Sequence, residues 1–168
     1  MQESPYLEGN ELLAEKLQNL PSLGAVSDKY IKDLLRFSKI RKYDDREIII
    51  KERSYDNWIY ILFSGVAKIK KDRKEIATLD KVGSIFGELA AIDGKARSAS
   101  VEAVGQTVCL AIDTTFINEM ADPLEQALFV SVLYKFLAEV IAQRLRSTNE
   151  ELAMVRFELD VLKKSKAW

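Results

Sequence analysis

Apolar positions change their spacing twice along this chain. Residues 1–9 carry no periodicity and read as a loose start. Leu12, Leu13, Leu17 and Leu20 then recur at helical spacing behind Asn10, a good cap, and Pro21 ends the run. Ser27-Asp28 opens a second helix that carries Ile31, Leu34, Leu35 and Phe37. From Ile40 the period shortens toward two. Segments 46–50, 58–63, 66–70, 75–79 and 107–112 read as strands, separated by turn signals at Asp44-Asp45, Ser64-Gly65, Asp72–Lys74, Asp80–Gly83 and Gly105. Short strands so spaced predict an antiparallel barrel or jelly roll. Past Ile112 the spacing lengthens again. Asp113–Phe116 starts a short helix ending near Met120. Asp122-Pro-Leu-Glu125 then supplies an acidic cap, a proline at the first helical position and a glutamate three residues after the cap. No proline or glycine follows, so this helix is predicted from Pro123 to about Lys164, a length of about 60 Å at 1.5 Å per residue.

The two halves of that helix differ. Leu124, Leu128, Val132, Leu133, Phe136, Leu137, Val140 and Ile141 make a broad apolar face suited to covering the barrel. Beyond them the stripe narrows. Leu145, Leu152 and Leu159 recur every seven residues, Val155 and Leu162 take the companion positions, and Thr148 is the polar exception in the seam. So narrow a stripe is not satisfied by one barrel, and a parallel coiled-coil homodimer is expected. The fold class is therefore α+β: an antiparallel β-roll flanked by N-terminal helices and a long C-terminal helix. The divisions expected are a lead-in over 1–39, the roll over 40–121 and the dimerisation helix over 122–168.

Composition narrows the chemistry. The chain has 168 residues, 48% hydrophobic and 30% charged, as a globular domain does, and its formal net charge of −1 gives no pull toward nucleic acid or anionic membrane. Histidine is absent, which removes the commonest general base and the commonest metal ligand. With scattered carboxylates and no base–nucleophile set, no catalytic residues, metal site or cofactor are expected. Cys109 is the single cysteine, so no internal disulfide forms, and a reducing, cytoplasmic location fits. It lies in an apolar strand, where a core role suits it better than ligation. No apolar run is long enough to span a membrane.

The stretch 85–101, Ile-Phe-Gly-Glu-Leu-Ala-Ala-Ile-Asp-Gly-Lys-Ala-Arg-Ser-Ala-Ser-Val, organises the rest. Gly87 frees the backbone to turn. Glu88–Ile92 makes about one helical turn, whose first N–H groups lack intrahelical partners, and Asp93-Gly94 breaks it. Arg97, Ser98 and Ser100 follow. Free amides, a guanidinium and a hydroxyl suit an anion such as phosphate. The carboxylate of Glu88 needs another task, and accepting a sugar hydroxyl is the obvious one. Together they describe a ribose phosphate.

Phe86-Gly-Glu-Leu-Ala90 followed by Arg97-Ser-Ala99 resembles the phosphate-binding cassette of cyclic nucleotide-binding domains, the family of the bacterial catabolite activator protein and of kinase regulatory subunits. The resemblance covers about residues 20–150, includes Leu20-Pro-Ser-Leu23, and implies an eight-stranded roll. It implies that Glu88 takes the ribose 2′-hydroxyl and Arg97 the cyclic phosphate, with Ser98 and the Gly87 and Leu89 backbone beside them. Alignment of Ala142–Glu150 with the activator protein's central helix implies that Thr148 and Asn149 touch the base, one from each subunit. Asn149 departs from the family's serine. The family also has glycines near Arg46 and Arg53, so locally altered turns are expected there.

The implied ligand is cAMP first, or cGMP, read by a homodimeric sensor that signals through its long helix to another protein. After the helix only Lys163–Trp168 remain, too little for a recognition helix, so direct DNA reading is not expected. The alternatives are a ligand-independent dimeric interaction module, or a fragment of a longer transcription regulator.

Overall fold

The computed structural model describes residues 1–20, 23–24 and 26–165. Pro21 and Ser22, read above as the stop of the first helix, and the tail from Lys166 lie outside the described residues. Helix α1 (Glu11–Gln18) is capped by Asn10, whose Oδ1 accepts from the Leu13 amide at 3.0 Å. It buries Ala14 and Leu17, while Leu12, expected on that face, is exposed because it sits about 140° round the helix from Leu17. Helix α2 (Asp28–Arg36) buries Ile31, Leu34 and Leu35 as its pattern requires. Phe37, just past its end, stacks on Phe116 at 3.8 Å.

One antiparallel sheet of seven strands makes the roll: β1 (Gln2–Glu3), β2 (Ser38–Tyr43), β3 (Ile48–Ile50), β4 (Trp58–Lys71), β5 (Lys74–Leu79), β6 (Ile85–Phe86) and β7 (Ser100–Asp113). The order is β1-β2-β7-β4-β5, with β3 pairing β7 and β6 pairing β4. Two expectations are corrected here. The start of the chain is not loose, because Gln2–Glu3 pair with Arg41–Lys42 and Glu3 bridges Lys39 at 2.7 Å and Arg41 at 2.6 Å. Nor do Ser64-Gly65 and Gly105 separate strands. Both β4 and β7 run through them for 14 residues, which leaves seven strands among the described residues where the resemblance implies eight. The register between β4 and β7 shifts on either side of Ser64, and such bulges bend a strand so that it serves both faces of a roll. Gly65 has φ +89°, and a Cβ there would lie 2.8 Å from Thr107 Cα, so glycine is required at the bend.

Alternation along β4 divides the core. Ile59 and Ile61 point to the helices, whereas Tyr60 and Leu62 point into the roll with Tyr43, Phe86, Cys109 and Ala111. A short 3₁₀ helix (Thr114–Glu119) leads to α4 (Pro123–Ser165), 43 residues long. Asp122 caps α4 through the Leu124 amide at 2.8 Å. Glu125 does not reach back to close the cap. It pairs instead with Lys29 of α2 at 2.8 Å. Phe129, Leu133, Phe136 and Leu137 bury against the roll. Leu124 and Leu128, expected on the covering face, are exposed, because the buried residues leave them on the far side of the helix.

Candidate functional site

The site is built on the turn between β6 and α3 (Glu88–Asp93). Gly87 turns the chain with φ +82°, a conformation that penalises any Cβ. A Cβ there would also lie 2.8 Å from Arg97 Nη1 and 3.1 Å from Trp58 O. The glycine thus lets the next arm of the loop fold onto the turn. Gly94, at φ +65°, ends α3 and sends the chain back toward Arg97.

Arg97 is 3% exposed. Its Nη1 donates to Gly87 O, its Nη2 to Trp58 O and Asp56 Oδ1, and its Nε to Asp56 Oδ2 at 3.1 Å. The carboxylate of Asp56 and the guanidinium therefore meet as a two-pronged pair. These bonds use four of the five N–H donors a guanidinium has, and one Nη1 N–H remains. Partial burial opposes the charge on Asp56. The Arg97 hydrogen bonds, the Trp58 amide and the charges of Arg97 and Arg41 outweigh it, and hold the carboxyl below its ordinary value. The backbone is fixed as firmly. Arg97 N donates to Ser54 O and Arg53 N to Arg97 O, both at 2.9 Å.

Glu88 is 2% exposed, a carboxylate that needs a partner at that burial. Arg144 of α4 provides one, donating from Nη1 to Glu88 Oε1 at 2.5 Å, while its Nη2 donates to Ile85 O. The first turn of the cassette is thereby tied to the long helix. Phe86 is buried in the roll, stacked on Tyr60 at 5.3 Å, and fixes the strand that delivers Gly87 and Glu88.

The remaining sequence candidates divide. Ala99 is half-buried beside Arg97, Leu89 is 46% exposed, and Ser98 is exposed with its carbonyl accepting from Lys71 Nζ at 2.6 Å. Thr148 and Asn149 are exposed on α4, and no hydrogen bond joins them to the cassette among the described residues. The residue of α4 that does reach the cassette is Arg144, one helical turn earlier. Sequence reading missed it and Asp56. Arg144 carried a signal, a cation one turn before Thr148 on the same helix. Asp56 carried none, because it comes from a loop 41 positions before its partner.

Residues 40–122 match the model of the cyclic nucleotide-binding domain. They belong to the cyclic nucleotide-binding domain family. A cAMP-dependent protein kinase type II regulatory subunit of Drosophila melanogaster is 32% identical over 118 residues, 67% of this chain and 31% of the relative. A cGMP-dependent protein kinase of Plasmodium berghei (strain Anka) is 32% identical over 100 residues, 60% of this chain and 12% of the kinase. Among solved structures, a cyclic nucleotide-binding protein from Geobacter metallireducens GS-15 superposes with a TM-score of 0.69 at 20% identity, over 79% of this chain and 97% of that one, a likeness of fold. The chain spans from about a tenth to about a third of the length of the curated relatives it matches. The geometry of Gly87, Glu88 and Arg97 falls within residues 40–122.

Proposed function

We propose that the chain is a sensor for a 3′,5′-cyclic purine nucleotide, cAMP first and cGMP second. The observation that carries the reading is the convergence of buried Glu88 and buried Arg97 on the turn at Gly87. Charged side chains are not buried without a purpose or a partner. The cyclic phosphate meets the last free N–H of Arg97, the backbone amides after Gly87 and the Ser98 hydroxyl. The ribose hydroxyl goes to Glu88, whose Oε2 accepts no hydrogen bond among the described residues. Because Arg144 already holds Oε1, a ribose at Glu88 meets the long helix directly. A ligand that changes this pair changes the position of α4, the differential contact a switch requires. The reading is of a binding module and not of an enzyme.

The output passes through α4 as a dimer. Leu145, Leu152, Val155 and Leu159 are all about half exposed along one stripe of α4, beyond Phe129, Leu133, Phe136 and Leu137, which bury against the roll. Thr148 and Asn149 would then read the base from the seam. The downstream partner is a protein.

Isothermal titration of the purified chain with cAMP and then cGMP tests the core of the reading. Micromolar binding of either supports it, and Thr148→Val then shifts the cAMP-to-cGMP ratio if the seam reads the base. Arg97→Lys keeps the charge but cannot make the forked pair with Asp56, and it abolishes that heat. No heat and no thermal shift with either nucleotide would leave a ligand-independent dimeric module, with Arg97 serving only to anchor Asp56.

A further inference from the structure

Among the described residues, four non-glycine residues hold a positive φ: Arg46, Arg53, Asp72 and Arg73. The last three line one open cleft of about 440 Å³ between the end of β3 and the hairpin that joins β4 to β5. Left-handed backbone penalises every residue with a Cβ, and glycine relieves the penalty at no steric cost. Asp72 and Arg73 are the two residues of the β4–β5 hairpin turn, which demands a positive φ at both, and with Arg53 they set charged side chains around one cleft.

Every carboxylate lining the cleft is taken: Glu52 by Lys71 at 2.9 Å, Asp72 by Arg53 at 3.0 Å and Glu102 by Lys70 at 2.7 Å. The side chains of Lys51 and Arg73, also lining it, engage no acceptor among the described residues. Arg53 is 78% exposed despite its pair. The cleft is thus a positive concavity whose floor includes Ile48, itself half-exposed.

We propose that this cleft docks an acidic segment of a partner protein, its carboxylates pairing with Lys51, Arg53 and Arg73 and one apolar side chain resting on Ile48. A peptide fits better than a nucleic acid. Three carboxylates interrupt the positive field, and a continuous phosphate backbone would meet them, whereas spaced peptide carboxylates need not. The walls of the cleft also hold the arm that carries the cassette arginine. Arg53 N donates to Arg97 O and Glu52 N to Ser100 Oγ, both at 2.9 Å, and Lys71 Nζ to Ser98 O at 2.6 Å. An occupant that competes for Lys71 or Arg53 therefore acts on Arg97. The docking surface stands alone; its coupling to the cassette rests on the nucleotide-sensor reading.

The test is fluorescence anisotropy of a labelled synthetic peptide, Asp and Glu alternating around one Leu, with the full chain and no nucleotide. Binding is expected to be saturable and to weaken with salt. The Asn/Gln counterpart peptide, and the double variant Lys51→Glu with Arg73→Glu, should each lose about tenfold or more in affinity. The variant's melting temperature shows whether its fold survives; the neutral peptide tests the same point on the unaltered chain. Equal binding of the neutral peptide, or tighter binding of a short single-stranded oligonucleotide, overturns the proposal. Repeating the cAMP titration with peptide saturating tests the coupling. Peptide binding without any nucleotide heat would sink the sensor reading and leave the docking surface.

Discussion

Arg144 and Glu88 stand 56 positions apart in the chain and meet through a 2.5 Å hydrogen bond. The pair is asymmetric. The Glu88 side chain is 2% exposed and that of Arg144 40%. Loss of the arginine strands a carboxylate in a dry site, whereas loss of the carboxylate leaves an arginine that turns to water. Since Arg144 also donates to Ile85 O, one guanidinium ties α4 to both sides of the Gly87 turn.

Arg144→Ala should therefore destabilise the chain by about 3 kcal/mol, the scale of an uncompensated buried charge. Glu88→Gln should cost about 1 kcal/mol, the scale of one hydrogen bond. In the double variant the penalties should not add, because the stranded charge is gone. Urea denaturation of the four proteins measures this. Additive losses would show that the two side chains are not coupled in solution.

Asp56 has the same relation to Arg97, with a pH signature. Its carboxyl lies below its ordinary value in the fold, burial opposing and Arg97 prevailing. A lowered folded value means that the unfolded chain binds the proton more readily. Stability from this pair is complete above the ordinary carboxyl range, near pH 4, and is lost as pH falls through the lower folded value. Asp56→Asn should remove about 2–3 kcal/mol at neutral pH and flatten that part of the acid limb. An unchanged acid limb in thermal melts from pH 6 to 2 would assign it to other carboxylates.

Half of this site was legible in the sequence and half was not, for a physical reason. Gly87, Glu88 and Arg97 belong to one loop, where spacing along the chain still encodes position in space. Asp56 and Arg144 reach the site through the pairing of β4 with β6 and the packing of α4; Asp56 has no mark in the sequence, and Arg144 has only its place one turn before Thr148. The same limit shows in β4. Ser64-Gly65 has the composition of a turn, but the pairing of β4 with β7 carries the strand through it as a bulge. Where one face decided the matter, as with Ile31, Leu34 and Leu35 of α2, periodicity was enough.

Arg46 and Arg53 were expected to alter their turns locally. They hold φ of +64° and +65°, so the left-handed turns persist with arginine in them. Arg46 is the cleaner test, because its side chain is 86% exposed and, among the described residues, pairs only with adjacent Asp45. Arg46→Gly should relieve about 1–2 kcal/mol of left-handed strain and lose about 0.4–1 kcal/mol to the greater freedom of unfolded glycine, a net gain of about 0.5–1 kcal/mol. Gly87→Ala is the opposite case. It adds strain at φ +82° and a contact 2.8 Å from Arg97 Nη1, so it should lower the melting temperature and weaken nucleotide binding together. A Gly87→Ala protein as stable as the parent would mean that Arg97 does not lie against that turn in solution.

The seam along α4 makes a prediction about orientation as well as assembly. With Leu145, Leu152 and Leu159 at one seam position and Thr148 and Val155 at the other, Glu151 and Glu158 flank the seam on one side and Arg156 and Lys163 on the other. In a parallel, in-register pair, Glu151 faces the partner's Arg156 and Glu158 faces the partner's Lys163. An antiparallel pair would set glutamate against glutamate and cation against cation. In a dimer formed through this seam the charges would favour the parallel arrangement, each exposed pair contributing about 0.5 kcal/mol. Leu152→Lys should give a monomer by sedimentation. Glu151→Lys should weaken the dimer, and adding Arg156→Glu should restore it, because the swap recreates opposite charges across the seam. In an antiparallel dimer Glu151 would face a partner glutamate, so Glu151→Lys alone would leave the dimer as strong or stronger; weakening by the single change and restoration by the second together require the parallel register. A monomer at every concentration would remove the seam from the account of assembly.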